Sequence, residues 1–193
     1  MENTVNRISD EIRKITEQKS HCLIAIDGRC ASGKSTLASM LHEKLGGALV
    51  HMDDFFLRPE QRTKERYSTP GENVDHERFL KEVLKPLSKG ETARFHPFDC
   101  NTMSLSETVL EADGSGLVIV EGSYSHHPLL RDYYDLKLFL HVQPQRQLER
   151  IAKRNPAKLE DFKTKWIPFE ELYFSNYDVM NKADLVIETT NLF

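Results

Sequence analysis

No stretch of this sequence stays apolar for the roughly 20 residues that a helix needs to cross a bilayer, so no membrane-spanning role is expected. Cysteine is scarce and odd in number. Cys22, Cys30 and Cys100 lack the CxxC spacing of a zinc or redox site and build no disulfide framework, which fits a reducing cytoplasm. An excess of positive charge is missing too. With 26 Lys and Arg against 30 Asp and Glu, the formal net charge is −4, and the balance favours neither nucleic acid nor an anionic membrane surface. An anionic ligand must therefore be held locally. There are no internal repeats and no low-complexity linker, and residues 1–20 are not expected to act as a signal peptide. Residues 1–20 instead place Val5, Ile8, Ile12 and Ile15 at helical spacing, as an amphipathic surface helix does.

What is present suffices for a core. The 193 residues are 39% hydrophobic, which suits a single domain spanning 1–193. The runs CLIAI (22–26), GALVHM (47–52), GLVIVEG (116–122), LKLFLHV (136–142) and DLVIE (184–188) are continuously apolar rather than alternating, the pattern of strands covered on both faces. Between them, KSTLASMLHEKL, DHERFLKEVLKPL and PQRQLERIAKR carry helical periodicity. The expected fold is α/β, a three-layer sandwich around a mostly parallel sheet of about five strands. Residues 91–113 break this alternation. There ARFHPF and ETVLEA are expected to pair as a small β-hairpin, either a connecting excursion or a flap over a substrate.

The chemistry begins at residues 28–35, GRCASGKS, a complete G-x-x-x-x-G-K-S between an apolar strand and an amphipathic helix. That is the context of a P-loop. Glycines let backbone N–H groups converge on phosphate oxygens, and the helix N-terminus adds a favourable dipole. Gly28, Ala31, Ser32, Gly33, Lys34, Ser35 and Thr36 are the expected nucleotide-binding set, with Lys34 reaching the β and γ phosphates and the Ser35 hydroxyl ligating Mg²⁺. A carboxylate for the same ion belongs at the end of a neighbouring strand, and Glu121 closes LVIVEG there.

A guanine-nucleotide switch has surface support in Asn181-Lys182-Ala183-Asp184 and in DGSG at 113–116. The order of elements argues against it, because both matches precede an apolar strand instead of following one, and DGSG reads as a turn. A phosphotransferase also needs a group to deprotonate an acceptor hydroxyl. Asp53, in HMDDFFLRP at the mouth of the second strand, supplies one.

With these residues in view, the chain resembles the uridine kinase and phosphoribulokinase family of P-loop kinases from about Cys22 to Glu188. Asp53, Asp54, Phe55 and Phe56 match its Asp-x-aromatic-aromatic segment, and NVDH at 73–76 matches Asn-Phe-Asp-His. Glu121-Gly122 matches the end of its Walker B strand, and NKADLVIETT its Lys-x-Ala-Asp strand. The resemblance implies transfer from Mg·ATP to the 5′-hydroxyl of a nucleoside of uridine or cytidine type. In that picture Asp53 is the catalytic carboxylate, Asp75 holds ribose hydroxyls with His76 beside it, and Phe56, Phe98 and Asp99 line the acceptor pocket. A helical lid over 144–157 brings Arg150 and Arg154, one turn apart, over the triphosphate. Some positions depart from the family. Cys100 and Met103 stand where a Phe and a base-contacting His are found, Val74 replaces a Phe, and the lid is shorter after Asn155-Pro156. A kinase of another small alcohol, such as nicotinamide riboside, pantothenate or a sugar phosphate, would use the same catalytic set. The expected partners are ATP and a small hydroxyl acceptor, without nucleic acid or membrane, and self-association into a homo-oligomer is left open.

Other features are assigned structural roles. His126-His127 is expected on a loop surface rather than at a metal, since neighbouring histidines point apart. Leu159, Phe162, Trp166, Phe169 and Tyr173 form a stripe expected in the core, with a kink at Pro168. Arg58, Arg62 and Arg66 fall in a polar, mobile loop over the site.

Overall fold

The computed structural model describes residues 2–192, and all five apolar runs form strands. In chain order the strands are β1 (Cys22–Gly28), β2 (Ala48–His51), the short β3 (Ala93–Phe95), β4 (Phe98–Asp99), β5 (Ser104–Leu105) and β6 (Leu110–Ala112), then β7 (Leu117–Glu121), β8 (Leu136–His141) and β9 (Leu185–Glu188). One parallel sheet runs β2-β7-β1-β8-β9. The helices are α1 (Glu2–Thr16), α2 (Lys34–Leu45), α3 (Lys64–Ser68), α4 (76–87), α5 (Pro144–Arg154) and α6 (159–177). None is long and apolar enough to cross a membrane.

The continuous apolarity of the strands has a direct cause. Alternate side chains of one strand enter two different cores. Leu23, Ala25, Val118, Val120 and Phe139 pack with Phe55, Phe79, Leu87 and Tyr173 on one face. Ile24, Ile26, Ile119, Leu138 and Leu140 pack with Leu37, Leu41, Val5, Ile8 and Ile12 on the other. Helix α1 thus closes the second face, and its buried Ile8 and Ile12 each contribute about 1.5–3 kcal/mol by burial.

Helices α4 and α6 each widen into a π turn, at Leu80–Leu84 and Phe162–Trp166. Each π turn lies just before a proline, Pro86 or Pro168, whose missing N–H leaves a carbonyl without its helical donor. The expected irregularity at Pro168 takes this form. The stripe along α6 is less buried than its spacing suggests: only Tyr173 is in the core, while Phe162, Trp166 and Phe169 are half-buried. Phe169 stacks on Tyr67 of α3 at 5.8 Å, so the first half of this helix meets the 58–73 segment while Tyr173 and Phe174 pack on the sheet.

That segment is built of defined turns. It carries a 3₁₀ turn at Pro59–Gln61 and then α3, and Arg66 is pinned by the carbonyls of Glu72 and Val74 and by the Glu77 carboxylate. The excursion at 91–113 forms the expected hairpin with a second ladder inside it. Ala93, Arg94 and Phe95 pair with Ala112, Glu111 and Leu110, and Phe98-Asp99 pairs with Leu105-Ser104 beyond them.

His126 and His127 are buried, each at 3% exposure, contrary to a loop surface. The reason is Asp27, fully buried near the end of β1. Its Oδ1 accepts from the N–H groups of Gly28 (2.7 Å) and Tyr124 (3.2 Å), and its Oδ2 from His126 N–H (2.9 Å) and the Tyr173 hydroxyl (2.9 Å). These bonds pull the chain after β7 inward. Asp27→Ala strands these donors in the interior and should cost about 3 kcal/mol or more, read as a lower urea midpoint. An unchanged midpoint would remove Asp27 from this role.

Candidate active site

Parallel register brings the site together. Gly28 ends β1 opposite Leu140, Glu121 ends β7 opposite Ile26, and His51 ends β2 opposite Glu121. The phosphate loop and two ionisable side chains therefore meet at the carboxyl edge of the sheet, where open α/β sheets carry ligands. Gly28 has φ +133, and a Cβ there would lie 2.2 Å from the Leu140 carbonyl oxygen, so no other residue lets the loop leave the sheet at this point.

Lys34 is 8% exposed and its ammonium donates to the carbonyls of Gly28 (2.8 Å) and Arg29 (2.9 Å). The Ser35 hydroxyl donates to Glu121 Oε1 at 3.1 Å. Thr36 and Ser35 are both exposed at the start of α2. A hydroxyl and a buried carboxylate meeting as hard oxygen donors suit Mg²⁺, and they are the residues that would hold it. His51 Nδ1 approaches the same Glu121 oxygen at 2.7 Å. That hydrogen bond is the main reason the His51 imidazole is held above its ordinary value.

Asp53 lies just past β2. It opens to the cleft, but the surrounding protein crowds its carboxyl and pushes its pKa up, and the charge of Glu121 adds to that. Lys34, His51 and Arg154 act on it in the opposite sense. The charges felt at Asp53 come from the P-loop, from both neighbouring strand ends and from α5. Asp54 is raised as well, chiefly by burial.

The two lid arginines do different things. Arg154, exposed at the end of α5, is the one whose charge acts on Asp53. Arg150, expected to face the triphosphate beside it, donates to the Ala31 carbonyl at 3.2 Å and to those of Thr189 and Thr190 at 2.7 and 3.1 Å. It fastens α5 to the P-loop and to the segment after β9.

On the acceptor side Asp75 is 2% exposed and caps α4 through Oδ1 and the Arg78 N–H. Its Oδ2 accepts no hydrogen bond, with Arg58 Nε at 3.7 Å and Arg78 Nε at 3.6 Å. That oxygen is ion-paired with two guanidinium groups but holds no hydrogen bond of its own. Phe56 pairs with Val74 in an isolated antiparallel bridge, and Phe98, 6% exposed, has Arg62 over its ring at 5.6 Å.

Two of the residues expected at the acceptor have partners within the chain. Asp99 Oδ1 accepts from Asn101 N–H at 2.7 Å, an Asx turn that spends the carboxylate on its own loop. His76 is buried against His127, their rings stacked at 4.2 Å, with Nε2 facing Glu72 Oε1 at 2.9 Å.

Glu72, His76 and His127 are, among the described residues, the one group of His, Cys, Asp or Glu with ligand atoms within 4.8 Å of one another. Their geometry does not suit a metal. The rings lie 12° apart, so their in-plane lone pairs run side by side instead of converging. Leu129 N–H donates to His127 Nδ1, which leaves the ring proton on Nε2. Burial, with His76 alongside, pushes His127 down to about 3, and it stays neutral.

Sequence reasoning missed His51, Asp27, Gln147 and Glu170. Buried Gln147 donates to the Cys30 carbonyl at 3.1 Å, and buried Glu170 accepts from Cys30 N–H at 2.9 Å and from the Ser123 hydroxyl at 2.6 Å. The signal for His51 was faint, a titratable residue closing the strand two places before Asp53. For the others there was none.

Asp184, from the apparent guanine motif, accepts from Lys137 N–H at 2.7 Å at the start of β8. That is the opposite edge of the sheet from the P-loop. A five-stranded parallel sheet of this order, with its phosphate loop after β1 and a carboxylate closing β7, is the fold of a P-loop kinase, an enzyme that moves a phosphoryl group onto an alcohol.

Comparison with known proteins narrows the class. No protein-family model matches the chain. A uridine kinase from Clostridium novyi is 32% identical over 141 residues, covering 68% of this chain and 67% of that protein. The uridine-cytidine kinase 2-B of Danio rerio is 27% identical over 192 residues, covering 86% and 72%. Among solved structures, one described as a possible uridine kinase from Bacillus stearothermophilus superposes with a TM-score of 0.75 at 20% identity, over 96% of this chain and 98% of that one. The chain belongs to the uridine kinase family.

The His51–Glu121 pair gives a testable pH dependence. A pKa raised above the ordinary 6.5 means that folding favours the imidazolium. The pair therefore stabilises the chain fully below that value, and the gain is lost as pH rises through the folded value. In chelator-treated protein, the melting-temperature gap between wild type and His51→Gln should be widest near about pH 5 and shrink toward about pH 8. A gap that stays flat would remove the pair.

Proposed function

We propose that the chain transfers the γ-phosphoryl of Mg·ATP to the 5′-hydroxyl of a nucleoside of uridine or cytidine type. The observation that carries the reading is Asp53, a carboxylate open to the cleft, raised in pKa, and acted on by the charges of Lys34 and Arg154. In the in-line reaction the acceptor oxygen bonds to phosphorus as the bond to ADP breaks, and Asp53 takes the hydroxyl proton. Lys34 and the loop amides hold the donor phosphates, and Arg154 offsets charge on the transferring group. When bound, Mg²⁺ held by Ser35 and Glu121 neutralises charge on the phosphates.

Asp75 supports a riboside acceptor, because its Oδ2, flanked by Arg58 and Arg78, has hydrogen-bonding capacity left for vicinal hydroxyls. The 100–103 turn supports a second reading, a non-nucleoside alcohol. It presents Cys100, Asn101, Thr102 and Met103 to solvent and offers no aromatic ring for a base.

ADP formation from Mg·ATP over a panel of uridine, cytidine, their deoxy forms, nicotinamide riboside, pantothenate and sugars decides between them. Turnover with uridine or cytidine and not with the deoxy forms supports the nucleoside. Turnover confined to a non-nucleoside shifts the acceptor while leaving the kinase intact. Asp53→Asn should keep nucleotide binding and lower turnover by about 10² or more, and near-normal turnover would take Asp53 out of the proton transfer. Asp75→Asn should raise the acceptor KM and narrow the preference for ribosides, with the ATP KM unchanged. An unaltered ratio of ribo to deoxy turnover would remove Asp75 from acceptor recognition.

A further inference from the structure

Glu170 lies outside every motif of the chain, yet it is a buried carboxylate that holds the backbone of the phosphate loop. It is 4% exposed, and burial is the chief cause holding its carboxyl above the ordinary value. One oxygen accepts from Cys30 N–H at 2.9 Å, inside the P-loop, and the other from the Ser123 hydroxyl at 2.6 Å, just beyond Glu121-Gly122. Ser123 also reaches the Gly28 carbonyl at 3.3 Å. A single side chain therefore fixes the third residue of the loop against the chain just beyond β7. Next to it, Glu171 pairs with Arg29 of the loop at 2.9 Å.

A buried carboxylate so near a site for phosphate is unfavourable unless its geometry is useful. The use lies in the other side of α6. Phe169, adjacent in sequence, stacks flat on Tyr67 of α3, with a 4° angle between rings, and Lys165 one turn earlier lies 5.1 Å over the same tyrosine. Helix α6 thus holds the donor loop through Glu170 and the 58–73 segment, which leads into Asp75, through Phe169.

We propose that Glu170 is a positioning residue: it holds the Cys30 amide in the P-loop and, through the Phe169–Tyr67 stack, makes the acceptor-side segment respond when nucleotide fills the loop. The inference rests on the donor part of the proposed function and is independent of which alcohol is phosphorylated.

The test is calorimetric titration of the whole protein with Mg·ADP, together with hydrogen exchange of residues 63–69. Wild type should bind, with slowed exchange in 63–69. Glu170→Gln keeps a carbonyl oxygen for the Cys30 amide and an amide for Ser123, and should bind within about threefold of wild type. Glu170→Leu keeps the bulk without an acceptor. It should bind about tenfold more weakly, and 63–69 should no longer respond. Wild-type affinity in Glu170→Leu, or equal losses in both variants, would overturn the proposal. Should Glu170→Leu not fold, Phe169→Leu decides. Retained ADP affinity with an unresponsive 63–69 supports the link, and a segment that still responds overturns it. Failure of the wild type to bind Mg·ADP would remove the donor site and the proposal together, whereas failure on every nucleoside acceptor leaves this result standing.

Discussion

Asp27 is the constraint on which the arrangement of the cleft depends. A carboxylate with no exposed surface is tolerated only where hydrogen bonds replace its water, and Asp27 receives four of them from three separate parts of the chain. Gly28 opens the phosphate loop, Tyr124 and His126 follow β7, and Tyr173 belongs to α6. One charge thereby fixes where the loop begins, how the chain turns after Glu121, and where α6 lies across both. Replacing any of these donors with an apolar group would leave part of the charge unsolvated, so the arrangement is held by the cost of the alternatives as much as by the strength of the bonds.

The parts of the fold that were legible in the sequence are those whose cause is local. CLIAI and GLVIVEG read as doubly covered strands because each residue meets one of two cores, and GRCASGKS reads as a phosphate loop because its spacing is itself the chemistry. His51 was not legible because its partner, Glu121, is 70 residues away and becomes a neighbour only through the β2–β7 register. Glu170 and Cys30 are 140 apart, and no periodicity joins them. The His126-His127 error has the same origin. A polar pair next to a proline reads as a surface loop until the buried carboxylate that draws it inward is known.

Arg150 and Arg154 show the limit of spacing as a guide. One helical turn predicts a shared face, but the helix ends at Arg154 while Arg150 is still within reach of three carbonyls. The inner arginine satisfies backbone acceptors beside the P-loop, and the outer one, exposed at the helix end, acts on Asp53 through its charge. Family resemblance carries residue types to positions, and local geometry then divides the work among them.

The nested ladders at 93–112 have a consequence for how such a chain changes over generations. The outer ladder is anchored by Phe95, 5.1 Å from Phe55 in the core, whereas the inner one has two residues per strand and a tip with Met103 at φ 55. Replacements at 100–103 meet solvent rather than packed neighbours, so they leave the sheet and the phosphate loop undisturbed. The tip is a cassette: selection can rewrite what it touches while inheriting the catalytic apparatus intact.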